Sequence, residues 1–75
     1  MSISDVMIHI KESLGEEARS TLENAMRKVE GVIAPRFNAG KEHLLMVTFD
    51  PKKTSAAVLL EATRAAGYTA QLVGM

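Results

Sequence analysis

Over residues 6 to 11 apolar and more polar positions alternate. Val6, Ile8 and Ile10 fall on one side and Met7, His9 and Lys11 on the other, the period of a half-buried strand. After "SLGE" at 13–16 the period lengthens. Ala18, Leu22, Ala25 and Val29 recur at helical steps with Met26 beside them, while Arg19, Glu23, Arg27 and Lys28 occupy the solvated side. Ser13 and Glu16 have the spacing of a capping box, in which hydroxyl and carboxylate satisfy the first free amides of the helix. Gly31 is placed to take the left-handed conformation that ends it. "VIAPRF" at 32–37 reads as a second strand, and it belongs at a sheet edge because Pro35 has no N–H for a central ladder. Asn38 and Gly40 suit a turn with positive φ. "HLLMVTFD" at 43–50 alternates again, with Leu45, Val47 and Phe49 facing one way and Leu44, Met46 and Thr48 the other. Ser55 caps a second helix with Leu59, Ala62, Thr63 and Ala66 inward, and Gly67 stops it. Thr63 stands where a branched apolar residue is expected, and its hydroxyl can bond back to the preceding turn. "YTAQLV" at 68–73 makes the last strand, with Ala70 and Leu72 inward.

The order strand, helix, strand, strand, helix, strand predicts an α+β, ferredoxin-like sandwich. Its antiparallel sheet runs 4-1-3-2 with two helices on one face, and strand two lies at an edge, as Pro35 requires independently. A chain of 75 residues has room for one domain, 1–75, which buries only about 60% of its unfolded surface. Nine Lys+Arg balance nine Asp+Glu, which removes the electrostatic drive that nucleic acid or an anionic membrane needs. Zero cysteines exclude disulfides, thiolate metal sites and thiol redox chemistry. No stretch approaches the roughly 20 apolar residues of a membrane span, so membrane insertion is not expected. The expected setting is the cytoplasm, for a stand-alone protein or an N-terminal piece of a larger one.

Four segments occur in register: "VEGV" at 29–32, "VTFDP" at 47–51, "TSAAVLLEATRAAGY" at 54–68 and "TAQLV" at 69–73. From residue 6 to 73 the chain thereby resembles the heavy-metal-associated domains of copper chaperones, mercury-binding proteins and metal-pumping ATPases. The resemblance implies a role linked to metal transport and a metal loop between strand one and helix one. That family's loop reads Gly-Met-x-Cys-x-x-Cys. Counted back from Gly31, its thiolate positions fall on Gly15 and Ala18, to within about one residue, and Leu14 fills the apolar space of the family's methionine. Neither a hydrogen nor a methyl group binds a soft ion, so the resemblance implies a degenerate site comprising Ser13, Leu14, Gly15, Glu16, Glu17 and Ala18. Tyr68 joins this set, where the family often places an aromatic or a lysine beside the ion; a packing role over the first turn of the helix is the plainer account.

Other residues have a chemical reading and a plainer one. Glu16 and Glu17 offer oxygen ligands, but first-turn carboxylates offset the helix macrodipole, and hard-ion sites take six or more oxygens. Met7, His9, His43 and Met46, with Leu44 among them, are candidates for a His/Met site for copper or nickel on the helix-free face. The plainer reading is an adaptable apolar contact patch of Met7, Leu44, Met46 and Val73. Such a patch invites a second copy or a protein partner, through the face or through an edge strand. No nucleophile–base spacing, phosphate cradle or carboxylate-oriented histidine supports an enzyme, and the aromatics, Phe37, Phe49 and Tyr68, do not suit an RNA-binding sheet. The leading expectation is a non-catalytic interaction, oligomerisation or regulatory module without a resident cofactor. A His/Met metal protein is the alternative, and a small-ligand sensor a third possibility.

Overall fold

The computed structural model describes residues 3–73. In chain order the elements are β1 (Ser4–Ile10), α1 (Glu16–Arg27), β2 (Val32–Phe37), β3 (Leu44–Phe49), α2 (Ala56–Ala65) and β4 (Ala70–Val73). The sheet runs β2-β3-β1-β4 and every neighbouring pair is antiparallel. This is the expected ferredoxin-like order, with β2 at an edge.

Strand alternation places the core. Val6, Ile8 and Ile10 of β1 and Leu45, Val47 and Phe49 of β3 are buried in one cluster with Leu22 and Met26 of α1 and Leu59 of α2, so both helices cover the same sheet face. Each of these side chains contributes about 1.5–3 kcal/mol by leaving water. Pro35 is buried opposite Val47, and β2 carries a register shift between Val32 and Ala34. Thr63 is fully buried, and its hydroxyl donates to the Leu59 carbonyl at 3.0 Å. The back-bond expected of it thus satisfies the one polar atom it brings into the core.

Some local expectations are corrected. Helix α1 begins after Gly15, which is its N-cap and offers no side-chain bond. Ser13 and Glu16 therefore form no capping box, because Ser13 lies two residues before the cap. Ser55 does cap α2, accepting from the Val58 amide at 3.3 Å. Ala25 and Ala66 are exposed, since the buried stripe of α1 runs through Leu22 and Met26, and Ala66 has already left α2. Helix α1 ends at Arg27, and Val29 packs on the core from the following turn. Asn38 keeps a negative φ, and among the described residues positive φ is confined to Gly31, Gly40 and Gly67. Gly31, at φ +97°, serves the turn into β2; a Cβ there would meet Lys53 Cβ at 2.8 Å.

Candidate functional site

The β1–α1 loop is closed by its own chain. The Lys11 amide donates to the Thr69 carbonyl at 2.9 Å, and the Thr69 amide donates to Glu12 Oε1 at 2.8 Å. These two bonds fasten the exit of β1 to the segment just after Tyr68. The bond from the Thr69 backbone amide is the chief reason that the Glu12 carboxyl titrates below the usual glutamate value of 4.5. Deeper in the loop, Leu14 is 5% exposed and belongs to the core cluster. Its carbonyl accepts from an Arg19 guanidinium nitrogen at 2.8 Å. Gly15 at the cap has φ −72° and ψ 173°, a conformation open to any L-residue, and a Cβ there would meet nothing within 4 Å. Glu16 and Glu17 are exposed in the first turn, and Ala18 packs half-buried on the core. Tyr68 also packs partly buried against that core, which fits its packing role.

The loop therefore does not suit the ion its resemblance implies. At Gly15 and Ala18, the positions that the resemblance assigns to the thiolates, stand a hydrogen with open space around it and a methyl group. Arg19, an always-charged donor, binds the loop backbone at the Leu14 carbonyl. Among the described residues no three His, Asp or Glu side chains cluster as metal ligands.

On the helix-free face Met7 pairs with Met46 and with Val73 across the sheet, and His9 pairs with Leu44 and Gln71. Met7, His9, Leu44, Met46 and Val73 are each half-buried, because they shield one another. The patch is thus less open than the alternation implied. Met46 Sδ lies 3.8 Å from an Arg36 guanidinium nitrogen. The His9 and His43 rings are nearly parallel at 20°, with centroids 6.0 Å apart, and His43 Nδ1 is 2.8 Å from the Ile10 carbonyl oxygen. A cleft of about 150 Å³ beside His9 is lined by Lys11, Thr69, Ala70 and Gln71.

The polar ties were not visible in the sequence. Arg19 and Glu23 read as solvated, yet both are half-buried and bonded. Glu12 meets Thr69 across 57 positions of chain, and no local pattern encodes that meeting.

The chain is 42% identical over 52 residues to the periplasmic component of the mercuric transport protein of Shewanella putrefaciens; the match takes in 69% of this chain and 56% of that protein. The crystal structure of oxidized MerP from Ralstonia metallidurans CH34 superposes with a TM-score of 0.85 at 29% identity, over 97% of this chain and all (100%) of the other. The N-terminal domain of a potential copper-translocating P-type ATPase from Bacillus subtilis, solved in its Cu(I)-loaded state, gives 0.85 at 25% identity over 97% of this chain and 90% of that one. No family model matches. The fold and these relatives define a class of metal-transport domains built on the ferredoxin-like sandwich. The chain is similar to the heavy-metal-associated domains in fold and sequence, and it lacks the paired cysteines of their loop.

Proposed function

We propose that this chain is a non-catalytic member of that family that carries no ion on the β1–α1 loop and works by protein contact, as a docking or self-association module beside metal-transport machinery. The single domain spans the whole chain in this reading. The observation that carries it is the loop itself: Leu14 is drawn into the core, Arg19 binds the Leu14 carbonyl, and no ligand stands at Gly15 or Ala18. The association with metal transport is taken from what the relatives are named for.

Contact through the helix-free face is better supported than contact through an edge. Pro35 removes one donor from β2, the Phe37 amide is taken by Glu23 Oε2 at 3.1 Å, and the register shift interrupts the strand. At the other edge β4 is four residues long, and Arg64 donates to the Ala70 carbonyl through two nitrogens at 3.2 and 3.1 Å. Edges blunted in these ways resist strand addition. The face keeps Met7, Leu44, Met46 and Val73 in adjoining register with no helix over them. No helix of the described residues is long and apolar enough to cross a membrane. The absence of cysteine fits the cytoplasm and also the periplasm named for the mercuric relative.

The test has two arms. In Cu(I) competition against a strong chelator, the wild-type chain should fail to retain the ion; a tight one-to-one complex overturns the account of the loop. In sedimentation over a concentration series, with transport-protein domains added separately, the wild type should associate and Met46→Glu should not. Glutamate suits this test because Arg36 stands beside it to pair with the new charge, so the fold, checked by circular dichroism, should survive. A wild type that remains monomeric and unshifted with every domain removes the docking reading.

A further inference from the structure

We propose that His9 and His43 form a two-imidazole site for a divalent transition-metal ion, held most tightly as Cu(II), at the end of the sheet and apart from the β1–α1 loop. His43 is tied to Ile10 twice. The Ile10 amide donates to the His43 carbonyl at 2.8 Å, and His43 Nδ1 lies at 2.8 Å from the Ile10 carbonyl oxygen. A carbonyl only accepts, so Nδ1 carries the proton and the neutral ring keeps its lone pair on Nε2. Metal-binding histidines are commonly held in this way, with the second ring nitrogen donating to a backbone carbonyl that fixes tautomer and orientation. Here the anchor exists before any ion arrives.

His9 is the second donor. It is the cross-strand partner of Leu44, one residue beyond His43, and the two ring centroids are 6.0 Å apart. An ion about 2.0–2.1 Å from one nitrogen of each ring would separate the centroids by roughly 5–6 Å, so the spacing needs little change. The nearly parallel planes do require His9 to turn about its Cβ–Cγ bond, a broad torsion for histidine. Gln71 lies on the β4 side of His9, away from His43, so water completes the coordination. Lys11 lines the cleft beside His9 but is exposed, so its charge is screened by solvent.

The donor set selects the ion. Imidazole suits copper, nickel and zinc, and among divalent ions affinity rises to Cu(II). The sulfur of Met46 is not counted as a donor, because it already accepts from an Arg36 guanidinium nitrogen at 3.8 Å. The site is therefore one of nitrogen and oxygen donors, distinct from a mixed His/Met site spread over the face, and it holds whether or not that face docks a partner.

The test titrates the full chain with copper(II) chloride, and separately nickel(II) chloride, following backbone and imidazole resonances by NMR. Cu(II) should broaden His9 and His43 first, at one equivalent. His43→Asn places an amide donor near the position of Nδ1 to keep the Ile10 bond while deleting Nε2. It should fold as wild type, checked by circular dichroism, and weaken binding by at least about tenfold, since losing a ligand costs no less than losing its outer-shell partner. His9→Phe should do the same with a ring retained, and Met46→Leu should leave Cu(II) affinity as in wild type. Absence of broadening at both histidines overturns the site, as does wild-type affinity in folded His43→Asn or a loss of affinity in Met46→Leu.

Discussion

Restoring the two missing thiolates is the most direct test of what the loop has lost. In Gly15→Cys/Ala18→Cys the new side chains stand three residues apart, at the cap and in the first turn of α1. Gly15 already has φ −72° and an open Cβ direction, so its replacement strains nothing. Removing a glycine from a compatible conformation stabilises by about 0.4–1 kcal/mol through the unfolded state, and the loss of a glycine cap offsets part of that. Ala18 to cysteine costs up to about 0.7 kcal/mol in helix propensity. The apo double variant should therefore lie within about 1 kcal/mol of wild type. A helix N-terminus also lowers thiol pKa, which favours the thiolate.

An ion present at a hundred times its dissociation constant adds about 2.7 kcal/mol. For a domain of this size that raises the melting temperature by roughly 10–20 °C, taking about 4–8 °C per kcal/mol. The assay is thermal unfolding with and without one equivalent of Cu(I) or Hg(II) under reducing conditions, alongside chelator competition. Each single cysteine should give a much smaller shift, since only the pair chelates. If the double variant folds and neither ion moves its melting temperature, the loop does not follow the path of its metal-binding relatives. The placement of the thiolate positions on Gly15 and Ala18 is then wrong.

Further substitutions separate the local accounts. Ser13→Ala should change stability by less than about 0.5 kcal/mol, whereas Ser55→Ala should cost about 0.5–2 kcal/mol because its hydroxyl caps α2; comparable denaturation midpoints for the two would contradict the cap assignments. Gly31→Ala should cost more than about 1 kcal/mol, since φ +97° and the contact with Lys53 both oppose a side chain, and an unchanged urea midpoint would refute this. The folded-state pKa of Glu12 is depressed, so its contribution is present above the unfolded value and is lost as pH falls through the folded one. The Thr69 amide resonance should report that loss with a midpoint below 4.5 and should cease to titrate in Glu12→Gln; a midpoint at or above the ordinary value counts against the bond.

Sequence legibility divides by the range of the interaction. Strand alternation placed Ile8, Leu45 and Val47 inward and Met7 and Met46 outward, because that pattern is read within a few residues. Pro35 placed β2 at the edge because a missing donor is a property of one residue. The capping box failed for a related reason: the spacing of Ser13 and Glu16 satisfies the motif, but the first helical turn is positioned by Leu14 entering the core, which moves the cap to Gly15. Local chemistry nominated the cap, and tertiary burial overruled it.

The same division bears on how protein groups alone fasten the β1–α1 loop. A metal site fastens a loop by drawing distant ligands to one point. In this chain the fastening is distributed among the bonds of Lys11 and Glu12 with Thr69, the Arg19 bond to Leu14, and the buried Leu14 side chain itself. None of these bonds involves Met7, Met46 or His43, and the loop and the face meet where Lys11 and Thr69 line the cleft beside His9. Changes at Met46 or His43 should leave the Thr69 amide undisturbed, and changes at Glu12 should leave the histidine rings undisturbed. Additivity is the general expectation for sites without shared partners. Ile10 is where that independence is most exposed: its backbone holds His43, and Lys11, the residue that follows, donates to Thr69. If an ion at the histidine pair shifts the Thr69 resonance, β1 transmits it through that single peptide step, and Glu12→Gln should then alter Cu(II) affinity.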